Sequence, residues 1–289
     1  MVTRVPRHDF PVGVTQDDMA SLTESTDRVL DRLEVSEMSR SRALDCCLTV
    51  AMSRCAGDPR AEKIETWEAW VTAMQVGSAL FDSATATERV LPCRIGITGE
   101  MRQLPATGPT SYTHAGSWLT SVYLATICRE EERLDRLMQV PVSFLRESGA
   151  VFDEYVYEWV EALQSYWARR SSDMWSNLVT AISLATPEAA RIADKDTLLK
   201  ILYPPLELFQ LYNRGEADKF NSSLNEFLHW HRQYWTADEA RSLSSDGLVA
   251  LAPLAIACMA FDNDFAIEIE SEYLPKELLQ FGWSGEIDT

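Results

Sequence analysis

The sequence is short of base: 26 lysines and arginines stand against 44 aspartates and glutamates, a formal charge of −18. A nucleic-acid clamp needs clustered cations to displace counterions from phosphates, so nucleic acid is excluded as a direct partner. Long apolar runs are also missing. The longest, Leu248 to Phe261 (LVALAPLAIACMAF), is shorter than the roughly 20 residues that cross a bilayer and contains Pro253. It reads as a buried core helix, and no membrane is expected. The opening MVTRVPRHDFPVGV lacks the apolar stretch of a secretory leader, which predicts a cytoplasmic protein. The six cysteines, Cys46, Cys47, Cys55, Cys93, Cys128 and Cys258, include no CxxC pair, so reduced, buried thiols are expected rather than a zinc site.

Catalytic signatures are absent as well: there is no G-x-S-x-G, no Walker P-loop, no G-x-G-x-x-G after a strand and no H-E-x-x-H. Histidine is scarce. His8 falls in residues 1–14, read as flexible or extended, and His114 lies near a helix start. His229 and His231, two apart on one helix, point away from each other. Glu226 and His229 have the Glu-x-x-His spacing of carboxylate-bridged diiron bundles, but no second such pair accompanies them. They read as a polar pair on a helix face, and neither metal nor cofactor is expected.

What the chain does contain is apolar periodicity near 3.6, broken at short intervals. This predicts a mostly all-α fold of stacked, solenoid-like helical hairpins in one domain over residues 1–289. Helices are expected from Ser36 to Cys55, and from Pro59 to Thr87 with Asp58 as cap and with Trp67 and Trp70 as core wedges. Further helices follow over Ser111–Arg129, Glu130–Met138, Asp153–Ala168, Ser172–Ala185, Pro187–Ile192 and Asp196–Tyr203. The last are Pro205–Asn213, Glu216–Tyr234, Thr236–Leu243, Leu248–Phe261 and a turn from Pro275. Residues 90–110, rich in Pro and Gly, read as an irregular loop or a short β-hairpin near 93–104 turning at Gly99-Glu100; residues 265–270 (FAIEIE) read as a short extended segment. Two echoes favour stacked helix pairs: WVTAMQ at Trp70 returns as WVEALQ at Trp159, and the helix end at Arg129 resembles that at Arg214.

Two stretches concentrate negative charge. From Asp262 onward, Asp262, Asp264, Glu268, Glu270, Glu272, Glu277, Glu286 and Asp288 face the single base Lys276, with Tyr273 and Trp283 as candidate aromatic anchors. The helix from Asp153 offers Glu154, Tyr155 and Glu158 as a second patch. Each is either a solvated face that promotes solubility or a surface that steers a basic partner.

The segments WEAWVTAMQVGSALF (Trp67 to Phe81), YPPLELF (Tyr203 to Phe209), HRQYW (His231 to Trp235), LVALAPLAIACMAFD (Leu248 to Asp262) and IEIESEYLPKELL (Ile267 to Leu279) together resemble the immunity protein 49 family of bacterial polymorphic toxin systems. The resemblance implies a mostly helical cytoplasmic protein without catalysis of its own, whose partner is a cognate toxin domain. It carries no binding residues over by position. A basic toxin suits the acidic chain. The alternatives are a helical scaffold for endogenous proteins, or an enzyme with an unrecognised helical site at Glu226 and His229.

Overall fold

The computed structural model describes residues 3–10, 15–96 and 101–283. The chain opens with β1 (Thr3–Val5), then α1 (Gln16–Leu30) and α2 (Glu37–Gly57). The sequence reading leaves α1 unassigned because it is mostly polar. Its start is nevertheless written locally, as a capping box in which the Thr15 and Asp18 side chains serve each other's backbone N–H. Ser36 caps α2 through the Ser39 N–H.

Asp58 does not start the next helix as expected. Ala61 adopts φ 56°, which no helix accommodates, so α3 (Ile64–Thr85) begins later. The buried Asp58 carboxylate instead accepts from the N–H groups of Glu62 and Lys63 and from the Thr66 hydroxyl. The predicted hairpin is present, with longer strands: β2 (Val90–Arg94) pairs antiparallel with β3 (Met101–Pro105), Val90 opposite Pro105 and Arg94 opposite Met101. The expected turn at Gly99-Glu100 lies outside the described residues.

Helices then dominate: α4 (Ala115–Ile127), α5 (Glu131–Met138), α6 (Val142–Glu147), α7 (Glu154–Trp167) and α8 (Ser171–Leu184). The helix expected over Pro187–Ile192 is absent. The buried Asp153 carboxylate takes the N–H groups of Arg191, Ile192 and Ala193, holding that segment in turns. Next come α9 (Lys195–Thr197), which runs into a π-helical turn at Leu198–Leu202, then α10 (Pro204–Asn213), α11 (Ala217–Trp235) and α12 (Glu239–Ser242). The chain closes with α13 (Leu251–Asp262), β4 (Ile269–Ser271) and α14 (Lys276–Leu279). The extended tail segment therefore sits later than 265–270, because it forms where β1 pairs with it in parallel, Thr3 opposite Ile269.

Three helix pairs share one joint. Between α4 and α5, α7 and α8, and α10 and α11 a single residue turns left-handed: Arg129 (φ 56°), Arg169 (φ 57°) and Gly215 (φ 69°). In each, the following N–H reaches back five residues, from Glu130 to Ala125, Arg170 to Ser165 and Glu216 to Leu211. The echo between the Arg129 and Arg214 regions is thus a repeated Schellman turn. The WVTAMQ echo is matched in burial, with Trp70 and Trp159 both enclosed.

The helical hairpins stack in chain order, and α13 adds a closure that neighbour-only stacking lacks by packing against α4 and α10. Its 12 residues are mostly buried. Although Ser245–Asp262 is apolar enough by composition and length to cross a membrane, the helical part is about 18 Å long and lies within the protein core. Trp67, Trp70, Trp118 and Trp159 anchor that core. Five of the six free cysteines are buried and Cys46 is half-buried; burial pushes the Cys55 thiol up to about 12 and Cys258 up to about 11.

Candidate interaction surfaces

The fold rearranges the charge seen along the chain. At the tail, the amino-terminal segment and the α4–α5 joint bring bases to the acids. Arg129 clasps Asp262 with two hydrogen bonds, at 2.9 and 3.1 Å, and Arg7 lies 3.5 Å from Glu272. Arg4 stands opposite Glu270 in the β1–β4 register. A groove of about 630 Å³ here is lined by Arg4, Arg7, Arg60 and Lys276 as well as Asp9, Glu270 and Glu272. Of the tail acids predicted as a site, Asp262, Asp264, Glu268 and Glu270 are exposed, Asp262 while paired with Arg129, and Glu272 is half-buried. The tail is consequently a mixed surface and not a purely anionic one.

The aromatic anchors assigned to these patches are corrected by burial. Tyr273 is 0% exposed. Its hydroxyl accepts from the His8 N–H at 3.0 Å and lies 2.8 Å from His8 Nδ1, so Tyr273 fastens the amino-terminal segment instead of meeting a partner. His8 is correspondingly buried, against the expectation of a flexible position. Trp283 is half-buried and donates from its indole to the Ala61 carbonyl. On α7, Tyr155 is buried because the apolar face of that helix turns inward. Glu154 is held by Arg146, whose guanidinium also lies 3.7 Å from the Tyr157 ring centre, leaving Glu158 half-buried and Glu161 exposed.

Glu226 and His229 are both exposed on α11, and the described residues contain no group of three or more histidine, cysteine or carboxylate side chains that could hold a metal ion. His231 is buried, its Nε2 3.0 Å from the Gly247 carbonyl, and desolvation holds its pKa down to about 4. It is a neutral packing residue at ordinary pH.

A more concentrated anionic surface lies where the charge count along the sequence did not point. A groove of about 470 Å³ opens between α1, α2, α3 and the β2–β3 hairpin, and Asp27, Asp31, Glu65 and Glu68 line it opposite Arg54 and Arg102. Arg102 is engaged by the Leu30 carbonyl and Asp31, and Arg54 reaches the Thr23 hydroxyl. Desolvation and like charge push Asp27 (beside Asp31) and Glu68 (beside Glu65) above the usual carboxylate range. A cation delivered there would relieve both effects. The framing elements also expose apolar side chains: Val35 and Met38 at 82% and 72% between and at the start of the two helices, and Met101 on β3. β3 is tied to this corner by the Gln103 N–H, which donates to Glu34 at 2.6 Å. Exposed apolar groups beside crowded carboxylates are the composition of a docking surface. The legible signal was the acidic run of α1, with Asp17, Asp18, Glu24 and Asp27, set near a capping box.

Neither the curated proteins nor the solved structures contain a match to this chain. A family model does match: Immunity protein 49, over residues 58–278, from the Asp58 turn ahead of α3 to Leu278 in α14. Immunity proteins of this kind are generally non-enzymatic and bind a toxin. With the match running through more than two-thirds of a mostly helical chain, this protein belongs to the Immunity protein 49 family.

Proposed function

We propose that this protein binds and neutralises a cognate bacterial toxin in the cytoplasm, covering the toxin's active site or substrate groove. The family match carries this reading. The charge of −18 supports a basic toxin domain, since complementary potentials raise the association rate and disfavour wrong partners. The contact surface we assign is the acidic groove of α1, α2, α3 and the hairpin, with Asp27, Asp31, Glu65 and Glu68 as the steering charges and Val35, Met38 and Met101 as apolar contacts. The exposed tail acids Asp264, Glu268 and Glu270 extend the negative field without forming its centre. If the toxin is a nuclease, carboxylates in that groove occupy the place of substrate phosphates.

The test is inducible expression of the neighbouring open reading frames with and without this protein, followed by isolation of complexes at low and high salt. Growth rescue together with a complex that weakens as salt rises is the expected result. Toxicity that persists despite co-expression of this protein, with no complex formed, overturns the proposal.

A further inference from the structure

Along β2 the sign of the charge reverses. A pocket of about 620 Å³ lies between the carboxyl-terminal half of α3, strand β2, and α5 with the segment that follows it; Arg94, Arg133 and Arg136 line it with Asp82. In a chain of charge −18, three guanidiniums converging on one cavity stand out. The compensation of Arg133 is incomplete. Asp82 is committed to Arg136, whose Nε lies 3.1 Å from both carboxylate oxygens. Arg133 is 7% exposed, and its charge is met by a neutral hydroxyl, Ser78 at 2.7 Å from Nη1, and by Glu130 only at 4.0 Å. Burial and the like charge of Arg136 press the Arg133 guanidinium below its ordinary value, against Glu130 and Asp82. It stays protonated all the same, because arginine does not give up its proton in proteins. A buried cation without a close anion is costly, and the solvent-facing pocket gives an anion access to it. Cys93 contributes no nucleophile, since burial pushes its thiol up to about 12.

We propose that this pocket binds a small, multivalent oxyanion of the phosphate class, with Arg133 as the buried anchor and Arg94 and Arg136 as flanking forks. A single carboxylate engages one guanidinium well, and Asp82 already accepts from the Nε of Arg136. A phosphoryl group presents three or more acceptor oxygens and can meet forks from both walls of the pocket. Leu91, Pro92, Val140 and Pro141 line the remainder, and the cavity lies within the size range of small-molecule sites.

The test uses the purified full chain without any toxin, so its outcome is separate from that of the immunity proposal. Inorganic phosphate and pyrophosphate are titrated calorimetrically into the protein in low-salt, phosphate-free buffer, with sodium chloride and citrate as controls. Saturable binding of phosphate or pyrophosphate, weakened about tenfold or more in both Arg133→Met and Arg94→Gln, is the expected result. The Arg94→Gln change lies on the half-buried strand and keeps the test open if Arg133→Met fails to fold. Heats that do not saturate, affinity unchanged in the folded variants, or binding of citrate without phosphate or pyrophosphate each overturn the proposal.

Discussion

The two cavities that the β2–β3 hairpin borders differ in sign and in how their charge is held. On the α1–α2 face, carboxylates stand near one another at a solvent-open groove, and two of them, Asp27 and Glu68, are pushed up by desolvation and neighbouring acids. On the α5 side, Arg136 donates from Nε to Asp82, and Arg133, almost wholly enclosed, donates to Ser78. Carboxylates can relieve crowding by taking a proton, whereas guanidiniums cannot. The acidic face is therefore suited to a partner whose approach is steered through solvent. The basic face is suited to a small ligand that enters and stays.

The largest effect should come from undoing both faces together. Leu104, 0% exposed in β3, holds the hairpin to the core, and Leu104→Ala should cost about 3 kcal/mol in urea unfolding. A loss under about 1 kcal/mol would mean that the hairpin is held mainly by its rims. Next, Asp82→Asn removes the carboxylate that Arg136 Nε donates to and should destabilise by about 1 kcal/mol, a modest loss because Arg136 is half-exposed and desolvation already holds the Asp82 pKa up. Denaturation midpoints that coincide with those of the parent chain would show the pair to be energetically idle.

The acidic face should respond in association more than in stability. Asp27→Lys with Glu68→Lys should slow capture of the toxin about tenfold at low salt, the difference shrinking at high salt. The same charge change at Glu268 and Glu270, where Arg4 already stands, should do less. Stopped-flow rates in which the tail variant is the slower one would move the interface to β4. The smallest effect concerns pH. The folded pKa values of Asp27 and Glu68 lie above their unfolded values, so ionisation opposes folding once the pH exceeds both. Asp27→Asn with Glu68→Gln should then stabilise slightly at pH 7, by a few tenths of a kcal/mol after solvent screening. That advantage should fade as the pH falls through the raised folded values. An advantage that is the same at pH 4 and pH 7 would assign it to packing.

Much of the helical frame was legible because local rules produced it. Ser36 opens α2, Trp67 and Trp70 face the core, and the Arg129 and Arg214 echo marks a repeated joint. The departures arose where a distant group intervened. Asp153 took the N–H groups that a helix at Pro187–Ile192 would have used, and β1 drew the tail strand to Ile269–Ser271. The candidate surfaces were less legible than the frame. Acids cluster along the tail sequence, but His8, beside Arg7, and Arg129 come to it from 265 and 133 residues away, as the His8–Tyr273, Arg7–Glu272 and Arg129–Asp262 contacts show.

Composition and periodicity by themselves determined the helical class, the excess of acid and the burial of Trp67 and Trp70, since each depends on residue type and nearest turns. The segments resembling the family were likewise present in the linear sequence. Only the tertiary structure decided that Tyr273 is a core tie, that the tail charge is shared with β1, and that acids and arginines gather in separate cavities bordered by one hairpin. The reason is physical: electrostatic interaction depends on separation through space and on the surrounding dielectric, and neither is recorded in distance along the chain.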